Sequence, residues 1–115
     1  MGYSEDESME KFGKENIEVY HKQFVPLEWG LSEARSHSKG FTKVVVDKAT
    51  DMVLGIHYLG PNAGEVMQGY GSAMKNGITF TDLKETVGIH PTSAEEIVML
   101  SVTMSSGEDA AAGGC

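Results

Sequence analysis

The chain has 115 residues, a formal net charge of −8 and 40% hydrophobic residues, enough for one domain with a single core and no more. Acid is concentrated early, in Glu5, Asp6, Glu7, Glu10, Glu15 and Glu18, and the balance argues against nucleic acid or an anionic membrane as partner, since both demand a basic face. No apolar run approaches the ~18 residues of a membrane span, no charged-then-apolar stretch opens these residues, so no secretory signal is expected in them, and one cysteine, Cys115, cannot build a disulfide framework or a zinc cluster within the chain.

The start, Met1-Gly2-Tyr3-Ser4, enters a helix signal at once and reads as an internal boundary of a longer protein. Ser4-Glu5-Asp6-Glu7 is a capping box, in which hydroxyl and carboxylate satisfy the first free backbone N–H groups. Met9 and Phe12 supply the apolar stripe, and Gly13 is placed to end the helix. Asn16 to Phe24, alternating around Ile17 and Val19, suits a strand that Pro26 breaks. Leu27-Glu28-Trp29-Gly30 then turns the chain, and Leu31 to Gly40 is polar and small enough for an exposed loop.

Thr42 to Asp47, with Val44, Val45 and Val46 in succession, is the strongest strand signal. Lys48-Ala49-Thr50-Asp51 can return it into Met52 to Leu59 as a hairpin, stopped by Gly60-Pro61. Three helix signals follow. Asn62-Ala63-Gly64-Glu65 reads as a second capping box, with Val66, Tyr70, Ala73 and Met74 at helical spacing until Gly77. Gly69, Gly71, Ser72 and Ala73 leave one side of that helix thin, suited to close approach by another element. A short helix is expected after Thr81 and before Gly88, and a last one from Thr92-Ser93-Ala94-Glu95, burying Ile97, Leu100 and Met104. From 106 to 115 the composition is Ser, Gly, Ala and acid, too poor in apolar surface to hold itself still. The class is α+β, a small antiparallel sheet with helices packed on it.

The stretch most suggestive of chemistry is Gly88-Ile89-His90-Pro91-Thr92-Ser93-Ala94-Glu95. Proline at 91 keeps the His90 backbone out of the helical region, so its ring can project from a fixed turn. A carboxylate at Glu95 can reach one imidazole nitrogen, set the tautomer and raise the basicity of the other, which is the physics of a proton-moving pair. The plainer readings stand beside it: Thr92-x-x-Glu95 is also a capping box, and histidine before proline is commonly a turn residue. Strand positions favour His21 and His57 as ordinary part-buried residues and loop composition makes His37 solvated; no histidine pair has metal-ligand spacing, and Met67, Met74, Met99 and Met104 read as packing. Cys115, at a Gly-rich end, is either accidental or chemically exposed.

Ile17-Glu18-Val19-Tyr20-His21, Pro26-Leu27-Glu28-Trp29, the run Gly55 to Glu65 with its L-G-P-N-A-G-E block, and Gly88-Ile89-His90-Pro91 together resemble the interface domain of thioredoxin reductases. These belong to the pyridine nucleotide-disulfide oxidoreductases, with glutathione reductase and dihydrolipoamide dehydrogenase. The resemblance covers nearly the whole chain, and the Pro-Leu-Glu-Trp segment and cysteine tail favour the animal type. It implies a homodimerisation domain (1–105) with a flexible redox tail (106–115), working in an FAD- and NADPH-dependent enzyme that reduces thioredoxin, cytoplasmic or mitochondrial. His90 would be the acid–base residue reaching the opposite subunit's active site, Glu95 its orienting acid, and His90 and Pro91 would border the partner's flavin, with a peptide before Pro91 that is cis in relatives. Gly114-Cys115 matches the first half of a Gly-Cys-selenocysteine-Gly ending, so Cys115 becomes a redox residue and the chain a selenoprotein truncated at that point. The flavin and NADPH domains and the other cysteine pair are absent, so the chain alone is expected to be inactive and to hold no cofactor. A thioredoxin glutathione reductase shares this domain and tail, and a stand-alone dimerisation module without chemistry is the reading from another class.

Overall fold

A computed structural model describes residues 1–111. Three strands, β1 (Ile17–Phe24), β2 (Gly40–Asp47) and β3 (Val53–Leu59), form an antiparallel sheet in the order β1-β2-β3. The α+β expectation is met: helices pack on both faces. The valine run explains why both faces are covered. Ordinary strand alternation leaves Val44 and Val46 on one face and Val45 on the other, all three buried. Val45 meets Ile17, Val19 and the apolar stripe Met9 and Phe12 of α1 (Glu5–Phe12). Val44 and Val46 join Ile56, Phe80, Leu83, Ile97 and Leu100 in the larger core, under α3 (Ala63–Lys75), α4 (Phe80–Glu85) and α5 (Glu95–Val98).

The Ser4–Glu7 capping box closes as expected, with Glu7 N donating to Ser4 Oγ at 3.2 Å and Ser4 N to a Glu7 oxygen at 2.8 Å. The second box does not. Asn62 sits in the left-handed region at φ 54° and its side chain caps nothing, because the corner after β3 needs that backbone conformation, which asparagine tolerates well. Instead a box the spacing had not suggested, Thr79 with Asp82, starts α4 ahead of the expected Thr81. Leu27–Gly30 is a single helical turn, α2. The last helix is also shorter than expected: α5 is one turn, and Met99 and Met104 are 46% and 49% exposed rather than packed. Met67 and Met74 do pack on the larger core.

The sheet edges are not bare. Residues 1–3 run beside β3, with Ile56 N donating to Met1 O at 2.9 Å and Tyr3 N to Leu54 O at 3.0 Å. At the other edge His21 N donates to Val102 O at 3.0 Å and Gln23 N to Ala110 O at 2.8 Å. Ala110 is buried there, so the polar segment is seated on β1 as far as Ala111. Covering an edge satisfies its free N–H and C=O groups and blunts edge-to-edge association.

Candidate functional site

The segment 88–95 leaves α4 and returns over the larger core into α5. The His90–Pro91 peptide is cis. His90 Nδ1 lies 3.0 Å from Glu95 Oε1, in a geometry that is asymmetric: the imidazole is 61% exposed and the carboxylate 7%. The same Oε1 accepts a bond from Thr92 N at 3.1 Å, while Glu95 N donates to Thr92 Oγ1 at 3.3 Å. The sequence posed a His–carboxylate contact and a capping box as alternatives; one carboxylate oxygen makes both contacts. A buried acceptor already pinned by a backbone N–H has little freedom to follow a mobile imidazole, so the imidazole settles on it. With Nδ1 taken up, Nε2 is the nitrogen available to meet another molecule.

Because α5 is only four residues long, it cannot hold itself by helical cooperativity. Tertiary contacts place it. Its own Ile97 and Val98, and Leu100 just after it, are buried. Lys22 of β1 pairs with Glu96 at 2.6 Å, Lys84 Nζ donates to Leu100 O at 2.8 Å, and the Tyr70 hydroxyl of α3 donates to Ala94 O at 3.0 Å. None of these partners was legible from spacing: Lys22 and Glu96 lie 74 positions apart, and only the antiparallel path of the chain brings them together. Burial pushes the Tyr70 and Tyr58 hydroxyls above the usual phenol range, so both remain protonated donors.

An open groove of about 590 Å³ runs past His90, between the Val25–Leu31 turn and the Pro91–Glu96 segment. Its charged lining is acidic: Glu28, Glu95 and Glu96. Leu27, Leu31 and Ile89 are strongly exposed in this region. A smaller hollow of about 290 Å³ lies at the β1 edge between His21, Val102 and Ala110 and brings no acid–base pair together. Among the described residues no three His, Cys, Asp or Glu side chains converge on a metal position, and no helix is long and apolar enough to cross a membrane. His21 and His57 are partly buried on strands and His37 is exposed in its loop. Cys115 lies outside the described residues.

Residues 1–101 match the family described as pyridine nucleotide-disulphide oxidoreductase, dimerisation domain. The chain belongs to this family. Among curated proteins it is similar to the thioredoxin reductase SEP1 of Emiliania huxleyi, 44% identical over 116 aligned positions, covering 100% of this chain and 23% of that protein. The chain thus spans about a quarter of the length of the relative it matches. A dimerisation domain gives the exposed His90 turn and its groove a setting: surface that one copy presents can meet a second. The paired side chains sit inside the matched region, and residues 102–111, which lie beyond it, are those laid along β1.

Proposed function

We propose that this chain is the dimerisation domain of a thioredoxin-disulfide reductase and supplies the His90–Glu95 pair to the active site of the opposite subunit. The supporting observation is the pair itself: an exposed imidazole held at 3.0 Å on a buried carboxylate through Nδ1, a contact that leaves its second nitrogen unused. Similarity across the whole chain to a protein named as a thioredoxin reductase supports the enzyme class. In this reading Nε2 accepts the proton of a substrate-side thiol. The thiolate so formed attacks a disulfide sulfur, and the imidazolium returns its proton to the departing sulfur, so that one S–S bond breaks as another forms. Glu95 holds the ring in the tautomer that leaves Nε2 unprotonated and steadies the imidazolium between the two transfers.

FAD and NADPH are part of the proposal, but the residues here do not fit a binding site for either. The groove beside His90 is lined by three carboxylates and no Lys or Arg, a lining that repels a pyrophosphate. Other parts of the enzyme would hold both cofactors, and His90 and Pro91 would border the partner's flavin without binding it. The segment ending in Gly114-Cys115 is proposed as the redox tail that carries reducing equivalents to thioredoxin, with selenocysteine as the next residue in an animal-type enzyme. In the full-length dimer, His90→Ala is expected to lower turnover by about 10²-fold or more while flavin content and dimer mass stay unchanged. Turnover near the unmodified rate would sink the catalytic reading and favour a dimerisation module without chemistry.

A further inference from the structure

The Tyr70 hydroxyl of α3 meets the segment that carries the His90–Glu95 pair at one backbone atom, the carbonyl of Ala94. Glu95 follows directly in the chain, and Glu95 is the residue whose position decides where the His90 ring rests. On its own the four-residue α5 does not fix that position. The 13-residue α3 reaches it from the side: Tyr70 is half-buried, its ring packs on the larger core, and its hydroxyl donates to Ala94 O at 3.0 Å. We propose that Tyr70 is a positioning residue for the His90–Glu95 pair, fixing through Ala94 O the backbone on which Glu95 stands. This rests on the catalytic reading of His90 for its effect on rate, though not for its effect on geometry.

The other supports of α5 act farther from the pair. Lys84 binds Leu100 O beyond the helix, and Lys22 of β1 binds the Glu96 side chain rather than the backbone on which Glu95 stands. Tyr58 approaches the same turn from β3, its hydroxyl donating to Pro61 O at 2.9 Å with Ser93 beside it. Ala94 O also accepts from Ile97 N at 3.2 Å. Removing the phenol oxygen therefore leaves no orphaned acceptor, and Phe at this position keeps the ring in the core. Tyr70→Phe should fold; what it loses is a tether.

The test uses the full-length dimeric enzyme carrying Tyr70→Phe, Glu95→Ala, both together, and His90→Ala. Tyr70→Phe should lower kcat about fivefold, the value of one neutral hydrogen bond, with no change in KM for NADPH. In the Glu95→Ala background the same change should cost nothing further, because a residue that acts through Glu95 has nothing left to position. A crystal structure of Tyr70→Phe should show the Nδ1–Oε1 separation lengthened beyond hydrogen-bonding distance or the imidazole in more than one orientation. Unchanged kcat with the pair intact overturns the proposal, and so does an equal loss in both backgrounds, the mark of a general structural cost. Full turnover in His90→Ala, with Tyr70→Phe still loosening the pair, would instead remove the catalytic reading and leave the positioning contact standing.

Discussion

Replacing Glu95 by Gln separates the charge of the carboxylate from its shape. In the native site Oε1 accepts from His90 Nδ1 and Thr92 N at 3.0 and 3.1 Å, both in a pocket where the side chain is only 7% exposed. A glutamine carbonyl oxygen in that place still accepts both bonds. The flipped amide would set its NH₂ against the Thr92 N–H, so one orientation is forced and the geometry survives. What disappears is charge assistance, about half of a bond worth roughly 1.5–3 kcal/mol, or on the order of 1 kcal/mol. Turnover of the full-length enzyme should then fall about fivefold in Glu95→Gln. Glu95→Ala is different in kind: it removes both bonds and strands the Thr92 N–H, costing about 1–3 kcal/mol of stability as well. Steady-state disulfide reduction and urea unfolding, measured on both variants, read the two quantities separately. Wild-type turnover in Glu95→Gln together with wild-type stability in Glu95→Ala would refute the reasoning, since the carboxylate would then be neither orienting the ring nor holding the turn.

Lys22→Met should cost about 3 kcal/mol in urea unfolding, because it strands the Glu96 carboxylate at 10% exposure. The double variant Lys22→Met/Glu96→Leu should recover most of that loss, and no recovery would show that the pair holds α5 by something other than charge balance. Burial pushes the His57 imidazole below its ordinary range, against the opposing pull of its bond to Tyr3 O. The unfolded chain therefore takes up a proton first, and His57's contribution to stability is full above about pH 6.5 and lost as the pH falls toward the folded-state value. Thermal midpoints of the wild-type chain should decline through that window, and His57→Gln should flatten the decline.

Much of the fold was legible because it depends on local chemistry. The Ser4–Glu7 box needs only residues three apart, and the hairpin of β2 and β3 needs only two apolar runs and a short turn. The failures share a cause. Asn62-x-x-Glu65 has the composition of a capping box, but the chain's exit from β3 puts Asn62 in a left-handed conformation, and backbone direction overrode side-chain preference. The last helix was expected to run to Met104 on apolar spacing alone; beyond Val98 the chain instead turns to lay Val102 against β1, where its carbonyl accepts from His21 N and satisfies a free group of the sheet edge.

For the candidate site the division is sharper. Which residues could form an acid–base pair was readable from spacing: proline after His90 restricts the turn, and five positions separate the imidazole from a carboxylate that opens a helix. The fold class was legible too, because the strand signals around the valine run and the helix signals after Gly60-Pro61 add up to a small antiparallel sheet with helices packed on it. That Glu95 is buried while His90 is exposed, and that one oxygen serves both His90 and Thr92, came from the packed fold. It alone decided that Tyr70, Lys22 and Lys84 hold the short helix beneath them. The reason is physical: spacing along a chain constrains what neighbours can reach, whereas burial and the supports of a one-turn helix come from residues distant in sequence that packing brings together.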